Sequence, residues 1–190
     1  MRLSRIVVWS LLVIVTPSVM GGSPVAPAQM SARPAVLHAR GYGPVRVGMT
    51  VARAAKVLGM PLVVSEGEKE NRECYHVQPQ SGPTALHFMV QGDRIMRVSL
   101  YQGPSAIATD RGIRLGASID AVRSAYKKAI RGGDISLLDE EHEYLGPVGR
   151  YLTWWDNEKR YGIRHETDAE GKVDTIHAGG KAITLIEGCS

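Results

Sequence analysis

The sequence has few cysteines and few phenylalanines, and its charges are not concentrated in any block. Its 190 residues include two Cys and one Phe, and 44% of them are hydrophobic. Lys and Arg number 23 against 19 Asp and Glu, which gives a formal net charge of +4. Nucleic-acid binding usually shows as a basic block or stripe, which this chain lacks. The hydrophobic fraction is sufficient for a buried core and argues against wholesale disorder.

The N-terminal segment has the three-part form of a secretory signal. Arg2 and Arg5 form a basic start, residues 6–15 are almost all apolar, and Ala26-Pro27-Ala28 is a small-x-small cleavage site. The apolar run is shorter than the roughly 20 residues that a membrane anchor needs, and no Cys follows it as a lipidation site. We therefore expect residues 1–28 to be a signal peptide. The mature protein is then periplasmic or secreted, without a membrane span.

The two cysteines, Cys74 and Cys189, are too far apart for a CxxC redox motif or a metal framework. Export would place both in an oxidising compartment, where disulfides form and persist. We expect one disulfide between them. Two buried free thiols are the alternative.

One stretch of the chain occurs twice. Residues 45–59 and 113–127 both read apolar-Arg-apolar-Gly-x-Thr/Ser, followed by apolar residues at helical spacing. Thr50 and Ser118 are placed to cap the two helices, and Gly59 is placed to end the first. The pattern predicts a duplicated supersecondary unit.

Three strand candidates follow each predicted helix. The last candidate of each set has apolar residues three apart rather than two, which predicts a β-bulge. The candidates are residues 74–77, 85–90 and 94–101 in the first unit, and 150–155, 161–167 and 172–178 in the second.

These elements predict an α+β fold. We expect two tandem helix-plus-three-strand antiparallel repeats, packed as one body because one helix on so few strands buries little. The first repeat would span residues 44–103 and the second residues 104–190. Residues 29–43 lack a periodic pattern and are predicted to be a flexible arm.

The repeated motif resembles one from a known family. Gly48-Met49-Thr50, followed by Leu58-Gly59 and Pro61, resembles the helix signature of the SmpA/OmlA lipoproteins, which act in outer-membrane assembly. Two such units in an exported chain of this size resemble the tandem fold of β-lactamase inhibitory protein. The acylated Cys of the lipoproteins is missing here. The resemblance implies a fold family whose known members bind other proteins and perform no chemistry.

Four stretches carry residue types that catalysis or metal binding uses. Residues 124–127 fit the S-x-x-K motif, but the partner motifs of penicillin-binding enzymes are missing. Residues 139–143 are acidic around one His and are interpreted as a solvated loop, with weak cation binding as the alternative. Residues 168–174 fit a hairpin turn better than a calcium loop. His165 beside Glu166 lacks a nucleophile or metal partner. We therefore expect no enzyme, no metal and no cofactor.

Aromatic residues and Arg concentrate between residues 144 and 161. Strand alternation predicts that one of Trp154 and Trp155 is in the core and the other is exposed. Tyr, Trp and Arg are the residues that most often anchor protein interfaces. The alternative is that these aromatics complete the core of a chain with one Phe. The predicted partner-binding residues are Tyr144, Arg150, Tyr151, Trp155, Tyr161, Arg164 and His165.

Together these features predict an exported, non-enzymatic protein-binding module. Its partner would be another envelope or extracellular protein, and the sharpest version is an inhibitor of a secreted or cell-wall-targeting hydrolase. The alternative is a structural or assembly factor of the cell envelope.

Overall fold

A computed structural model describes residues 35–65, 73–103, 105–127, 137–142, 148–186 and 188–189. The predicted signal peptide and Tyr144 lie outside these residues. No helix within the described ranges is long and apolar enough to cross a membrane.

The two α-helices start at the predicted capping residues. Thr50 precedes α1 (Val51–Leu58), and its hydroxyl accepts a hydrogen bond from the Arg53 N–H at 3.3 Å. Gly59 ends α1 with a φ of 71°, in the left-handed region. Ser118 precedes α2 (Ile119–Lys127), and its hydroxyl accepts from the Ala121 N–H at 3.2 Å. The three capping predictions are confirmed.

Eight strands form one antiparallel sheet in the order β4-β5-β6-β7-β11-β10-β9-β8. β7 pairs with β11 in the middle of the sheet. The strands from the first half of the chain lie on one side of this pair, and those from the second half lie on the other. Their bounds are β4 Leu62–Val64, β5 Cys74–Pro79, β6 Leu86–Gln91, β7 Arg94–Leu100, β8 Leu138–His142, β9 Gly149–Trp155, β10 Gly162–Thr167 and β11 Val173–Gly179.

The predicted fold of two helix-plus-three-strand repeats is wrong. The protein is mostly β, and four strands follow each helix and join one continuous sheet. The two unpredicted strands are the outer ones, β4 and β8. β4 has only three residues, and β8 reads Leu-Asp-Glu-Glu-His, without the apolar alternation that indicates a strand. The acidic residues 139–142 are therefore part of an edge strand and not of a solvated loop.

Matching backbone features accompany the two copies of the motif. The Gly48 N–H donates to the Ile95 carbonyl, and the Gly116 N–H donates to the Val173 carbonyl, both at 2.7 Å. The pairing register of β6 with β7 shifts by one residue at Met96, and that of β10 with β11 shifts at Asp174. The predicted bulges are confirmed.

A second, three-stranded sheet precedes α1. Its strands are β1 (Leu37–His38), β2 (Gly41–Tyr42) and β3 (Val45–Arg46). Leu37 is fully buried and forms a parallel bridge with Thr109. The sequence predicts a flexible arm over residues 29–43, whereas residues 37–38 and 41–42 are strands of this sheet.

The two faces of the large sheet differ in chemistry. Residues that stand directly opposite one another on adjacent strands share a face. One such row is apolar and belongs to the core cluster that also holds Val122 and Tyr126 of α2: Phe88, Val98, Ala178, Ile163 and Trp154. The adjacent row faces away from the helices and is polar: His87, Ser99, His177, Arg164 and Thr153. We call this second set the polar row.

The predicted disulfide is present between Cys74 and Cys189, with their Cα atoms 5.2 Å apart. It ties the C-terminal segment to β5. Farther back in this segment, a 3-10 turn (Lys181–Thr184) contacts β7, β10 and β11. Arg97 of β7 is fully buried and donates from Nη1 to two carbonyl oxygens of the segment, at 3.1 Å to Ala182 and 2.6 Å to Leu185. The segment is therefore held at two places.

Candidate binding site

The predicted partner-binding residues do not form one surface. Tyr151 and Arg164 lie on the face away from the helices, but each is only 7% exposed. The His142 ring stacks on Tyr151 with 4.0 Å between ring centroids, and the Arg164 guanidinium lies 4.5 Å from the Tyr151 ring centroid. Arg164 also donates from Nε to the Thr153 hydroxyl at 3.0 Å. The ring contacts and the hydrogen bond of these side chains are therefore made with one another and with Thr153.

Two other predicted residues are on the helix-covered side. His165 is fully buried, and its ring meets the Tyr126 ring edge-on at 5.4 Å between centroids. Burial lowers the pKa of His165 to about 4. Arg150 pairs with Asp139 at 2.5 Å and with Glu141 at 2.7 Å, across β8 and β9. These contacts fit structural roles.

Trp155 and Tyr161 remain half-buried, on β9 and on the loop that follows it. Trp154 packs against the core cluster, which agrees with the predicted alternation of the two tryptophans. The loop turns tightly, and Lys159 within it has a φ of 50°. At this end of β9 and β10, two of the predicted partner-binding residues therefore keep part of their aromatic surface accessible.

Two arginines lie over aromatic rings at this end of the sheet. The Arg40 guanidinium carbon is 5.0 Å from the Tyr161 ring centroid. The Arg111 guanidinium carbon is 4.6 Å from the Tyr126 ring centroid and 4.7 Å from that of Trp154. We call these five residues the arginine–aromatic cluster. Each guanidinium is held by the negative potential of a ring face.

Backbone pairing brings the two arginines into the cluster. The Leu37 N–H donates to the Ala108 carbonyl at 2.9 Å, and the Asp110 N–H donates to the Leu37 carbonyl at 2.8 Å. The segments that carry Arg40 and Arg111 therefore run side by side. The first of them is the segment predicted to be flexible, so the sequence interpretation missed Arg40.

Much of the hydrogen-bonding capacity in the cluster is unused. Among the described residues, neither the Arg40 nor the Arg111 side chain has an ion pair or a hydrogen bond. The Trp154 indole N–H and the Tyr126 hydroxyl are buried without a partner in the same part of the chain. Burial raises the pKa of the Tyr126 phenol, although the nearby Arg111 charge opposes this.

A polar cleft of 270 Å³ opens beside the cluster, lined by Arg40, Trp154, Asp156, Asn157 and Glu158. The two acids on its wall already have partners. Asp156 accepts from the backbone N–H of Arg160 at 2.8 Å, and Glu158 pairs with the Arg160 guanidinium. Among the described residues that line the cleft, the Arg40 guanidinium has no hydrogen-bond or ion-pair partner, whereas each of the two acids has one oxygen engaged.

Comparison of the chain with family models, with curated proteins and with solved structures found no match. The resemblance to the SmpA/OmlA lipoproteins and to β-lactamase inhibitory protein stays a prediction.

Two residues of the polar row, together with Glu166 of β10, have the residue types of a hydrolase triad. The Ser99 hydroxyl lies 2.8 Å from Nδ1 of His177, and Nε2 of His177 lies 3.3 Å from a carboxylate oxygen of Glu166. Burial lowers the pKa of His177, although Glu166 opposes this. Burial alone would raise the pKa of the Glu166 carboxyl, but the hydrogen bond from His177 and the attraction of nearby positive charges together outweigh burial and lower that pKa. Ser99 is fully buried, so no substrate reaches its hydroxyl in this structure.

Sequence reasoning missed the triad and the two arginines of the cluster. Ser99, Glu166 and His177 are on three different strands, and only the pairing register makes Ser99 and His177 neighbours. The available signal was a polar residue in the middle of each of these strands, because polar side chains are rarely buried without a partner.

A second cleft of 230 Å³ is apolar and lies in the first half of the chain. It is lined by Ala35, Tyr42, Pro44, Val57, Leu58, Met60, Pro79, Pro83 and Leu86.

The stretches considered as cation sites have structural roles. Residues 168–174 form the hairpin turn between β10 and β11, as predicted, and Asp168 accepts from the Lys172 N–H at 2.8 Å. Asp139 is occupied by Arg123 and Arg150. Within the described ranges, no group of three or more His, Cys, Asp or Glu is placed to hold a metal ion.

Proposed function

We propose that the chain is an exported, non-enzymatic protein-binding module, and that the arginine–aromatic cluster is part of its binding surface. The observation that carries this proposal is a pair of arginines stacked on aromatic rings beside a cleft. Arg40, which lines the cleft, lies over Tyr161, and Arg111 lies over Trp154, which also lines it. They are held there by backbone pairing and ring contacts. The most specific form of the proposal is an inhibitor of a secreted or cell-wall-targeting hydrolase.

The composition of the cluster supports binding to a protein. Trp, Tyr and Arg are enriched among the residues that contribute most to interfaces, because they bury large surfaces around a polar group. A cation–π contact restricts a guanidinium before the partner arrives, which lowers the entropy lost on binding.

Export is supported by two independent features. The N-terminal segment has the form of a secretory signal. The Cys74–Cys189 bond is typical of chains that fold in an oxidising compartment.

The proposal of a module without catalytic activity is supported by the burial of the Ser99 hydroxyl. A nucleophile must reach its substrate, and the polar row keeps this one enclosed by its neighbours. The triad instead joins β7, β11 and β10 through hydrogen-bonded side chains.

Affinity capture tests the proposed function. The protein is produced from its full-length reading frame, recovered after export and immobilised, and envelope and culture-fluid proteins are passed over it. Tyr161→Ala removes the ring beneath Arg40, and Lys56→Ala, an exposed position on α1, is the control. We expect one dominant protein that binds one-to-one to the wild type and to the control, and at least about tenfold more weakly to Tyr161→Ala.

Three outcomes would contradict the proposal. Equal capture by Tyr161→Ala would place the binding surface elsewhere. Recovery only with outer-membrane proteins as a group would favour an assembly factor. Retention of the intact N-terminal segment in the cytoplasm would exclude export.

A further inference from the structure

We infer that the apolar cleft in the first half of the chain receives an aromatic side chain of the protein partner. The inference rests on the proposed function and adds a second contact surface of stated chemistry to it. Its basis is a comparison of the two halves of the chain. The place that is open in the first half is filled by aromatic side chains and an arginine in the second.

The two β-bulges give a common reference for comparing the halves. Leu86 pairs with the residue four positions after the bulge at Met96, and Ile163 pairs with the residue four positions after the bulge at Asp174. Both Leu86 and Ile163 belong to the core cluster. They therefore occupy corresponding places, and Leu86 also lines the apolar cleft.

The next strand outward differs between the two halves. The residue opposite Ile163 on this strand is Trp154 of β9. The corresponding residue in the first half is Pro79 of β5, because Val77 lies opposite Phe88 and Pro79 is two residues further along β5. A small pyrrolidine ring therefore stands in the first half where an indole stands in the second.

The helices and the segments before them show the same difference in size. Leu58 and Tyr126 are each eight residues after the capping residue of their helix. Gly43 is two residues before the first copy of the motif, and Arg111 is two residues before the second. Arg111 lies over Tyr126 and Trp154, whereas Gly43 has no side chain. Three larger side chains thus fill the second half where three smaller residues leave the cleft in the first.

The size and lining of the apolar cleft fit one aromatic ring system. Its 230 Å³ exceeds the roughly 150 Å³ of an apolar cavity that accepts benzene, and is below the roughly 300–1,000 Å³ of pockets for drug-sized molecules. None of the described residues around it is charged. Met60 lies on its wall, and a methionine sulfur makes favourable contacts with aromatic rings.

The aromatic side chain belongs to another protein and not to a second copy of this chain. Trp155 and Tyr161 are partly buried within their own chain, and no described Phe, Tyr or Trp is exposed. The exposed large apolar side chains in the described ranges are all aliphatic: Val63, Leu138, Val148, Leu185 and Ile186. The described surface therefore offers no exposed aromatic side chain for insertion into the cleft of a neighbouring copy.

An NMR titration tests the inference. N-acetyl-tryptophanamide is added to the full-length chain as recovered after export, with its methionine methyl groups labelled with ¹³C. The readout is the Met60 methyl resonance, which is assigned by its loss in Met60→Leu. N-acetyl-leucinamide is titrated in parallel as an aliphatic probe.

Two variants place an indole on the protein itself. Pro79→Trp puts an indole in the cleft, at the place that corresponds to Trp154. Val63→Trp adds an indole at an exposed position on the neighbouring strand β4 and is the matched control.

We expect N-acetyl-tryptophanamide to shift the Met60 resonance saturably, through the ring current of the bound indole. N-acetyl-leucinamide should bind at least about threefold more weakly, because it makes no contact between a ring and the Met60 sulfur. Pro79→Trp should raise the dissociation constant of N-acetyl-tryptophanamide at least about tenfold, and Val63→Trp should change it by less than about twofold. The dispersion of each spectrum shows whether the variant is folded. If Pro79→Trp is not folded, Leu58→Tyr, which copies Tyr126, fills the cleft in its place.

Four results would overturn the inference. Equal or tighter binding of N-acetyl-leucinamide would assign the cleft to an aliphatic group. An equal loss of binding in Val63→Trp, or the absence of a saturable shift, would remove the site. A Met60 resonance that moves on dilution of the protein without any probe would assign the cleft to a second copy of the chain.

The inference and the proposed function can fail separately. If a captured partner is lost in Tyr161→Ala but binds Pro79→Trp as tightly as the wild type, the binding module stands and the aromatic contact does not. If N-acetyl-tryptophanamide binds as expected but no protein is captured, the cleft binds an aromatic group and the proposed function fails.

Discussion

Neutral buried histidines are a feature of this sheet at the residue scale. His165 lies in the core against Tyr126, and His177 lies between Ser99 and Glu166 on the opposite face. Burial lowers the pKa of both rings. The effects of pH on the two rings differ because a carboxylate lies beside His177. The hydrogen bond that the structure describes for the His165 ring is to the neutral Leu152 carbonyl, at 3.4 Å. His165 is therefore the simpler residue to test.

His165 should make the protein less stable as the pH falls. Its pKa is about 4 in the folded state and about 6.5 in the unfolded chain, so the unfolded state binds more protons between these values. The free energy of unfolding should therefore fall from pH 6.5 down to about 4, by up to about 3 kcal/mol from this residue. His165→Leu should remove that part of the pH dependence. Urea denaturation of both proteins at pH 7.5 and pH 4.5 measures it.

Because His177 titrates in both proteins, the difference between them isolates His165. An identical loss of stability on acidification in His165→Leu and in the wild type would show that His165 does not titrate as described.

At the scale of elements, local signals in the sequence predicted the helix ends well. Thr50, Ser118 and Gly59 act through groups within a few residues of themselves, so their roles can be predicted without knowing the fold. The edge strands could not be predicted in this way, because β8 is acidic and its strand conformation depends on pairing with β9. The two central strands were predicted, bulges included, from their apolar spacing.

The candidate site was mostly beyond sequence reasoning. Trp154 and Tyr161 stood out by residue type, but Arg40 and Arg111 approach them only because the Leu37 and Thr109 segments pair. That pairing joins segments about seventy residues apart and has no local pattern. His165 was predicted to bind a partner but is fully buried, since the register decides which face of the sheet a residue occupies.

The end of α1 provides a test at the scale of an element. Gly59 has a φ of 71°, and a Cβ added there would meet no atom within 4 Å. Gly59→Ala should therefore be destabilising through backbone strain alone, by about 1 kcal/mol. Gly59→Asn should cost less, because Asn tolerates the left-handed region. Thermal and urea unfolding of both variants would measure the two costs, and an Ala variant as stable as the Asn variant would contradict this account.

At the scale of the whole molecule, the C-terminal segment closes the chain back onto the sheet. Gly162 and Gly179 make room for it, since a Cβ on either would lie within 3.6 Å of Ile183. Ile183 is fully buried there, and Arg97 holds the carbonyls of Ala182 and Leu185. Packing and hydrogen bonds thus hold the segment against the sheet independently of the disulfide.

The disulfide should therefore contribute mainly by restricting the unfolded chain. It joins residues 115 apart, and closing a loop of that length lowers the unfolded-state entropy by an amount worth up to about 5 kcal/mol. Cys74→Ser/Cys189→Ser should lower the free energy of unfolding by about 2–5 kcal/mol, measured by urea denaturation. The amide NMR spectrum should keep its native positions around Arg97 and Ile183, because the contacts of the segment remain. A reducing agent should destabilise the wild type by the same amount and leave the double variant unchanged. If the resonances of the segment instead moved to unfolded positions, the disulfide would be what holds the segment, and the contacts of Arg97 and Ile183 would be insufficient to hold it alone.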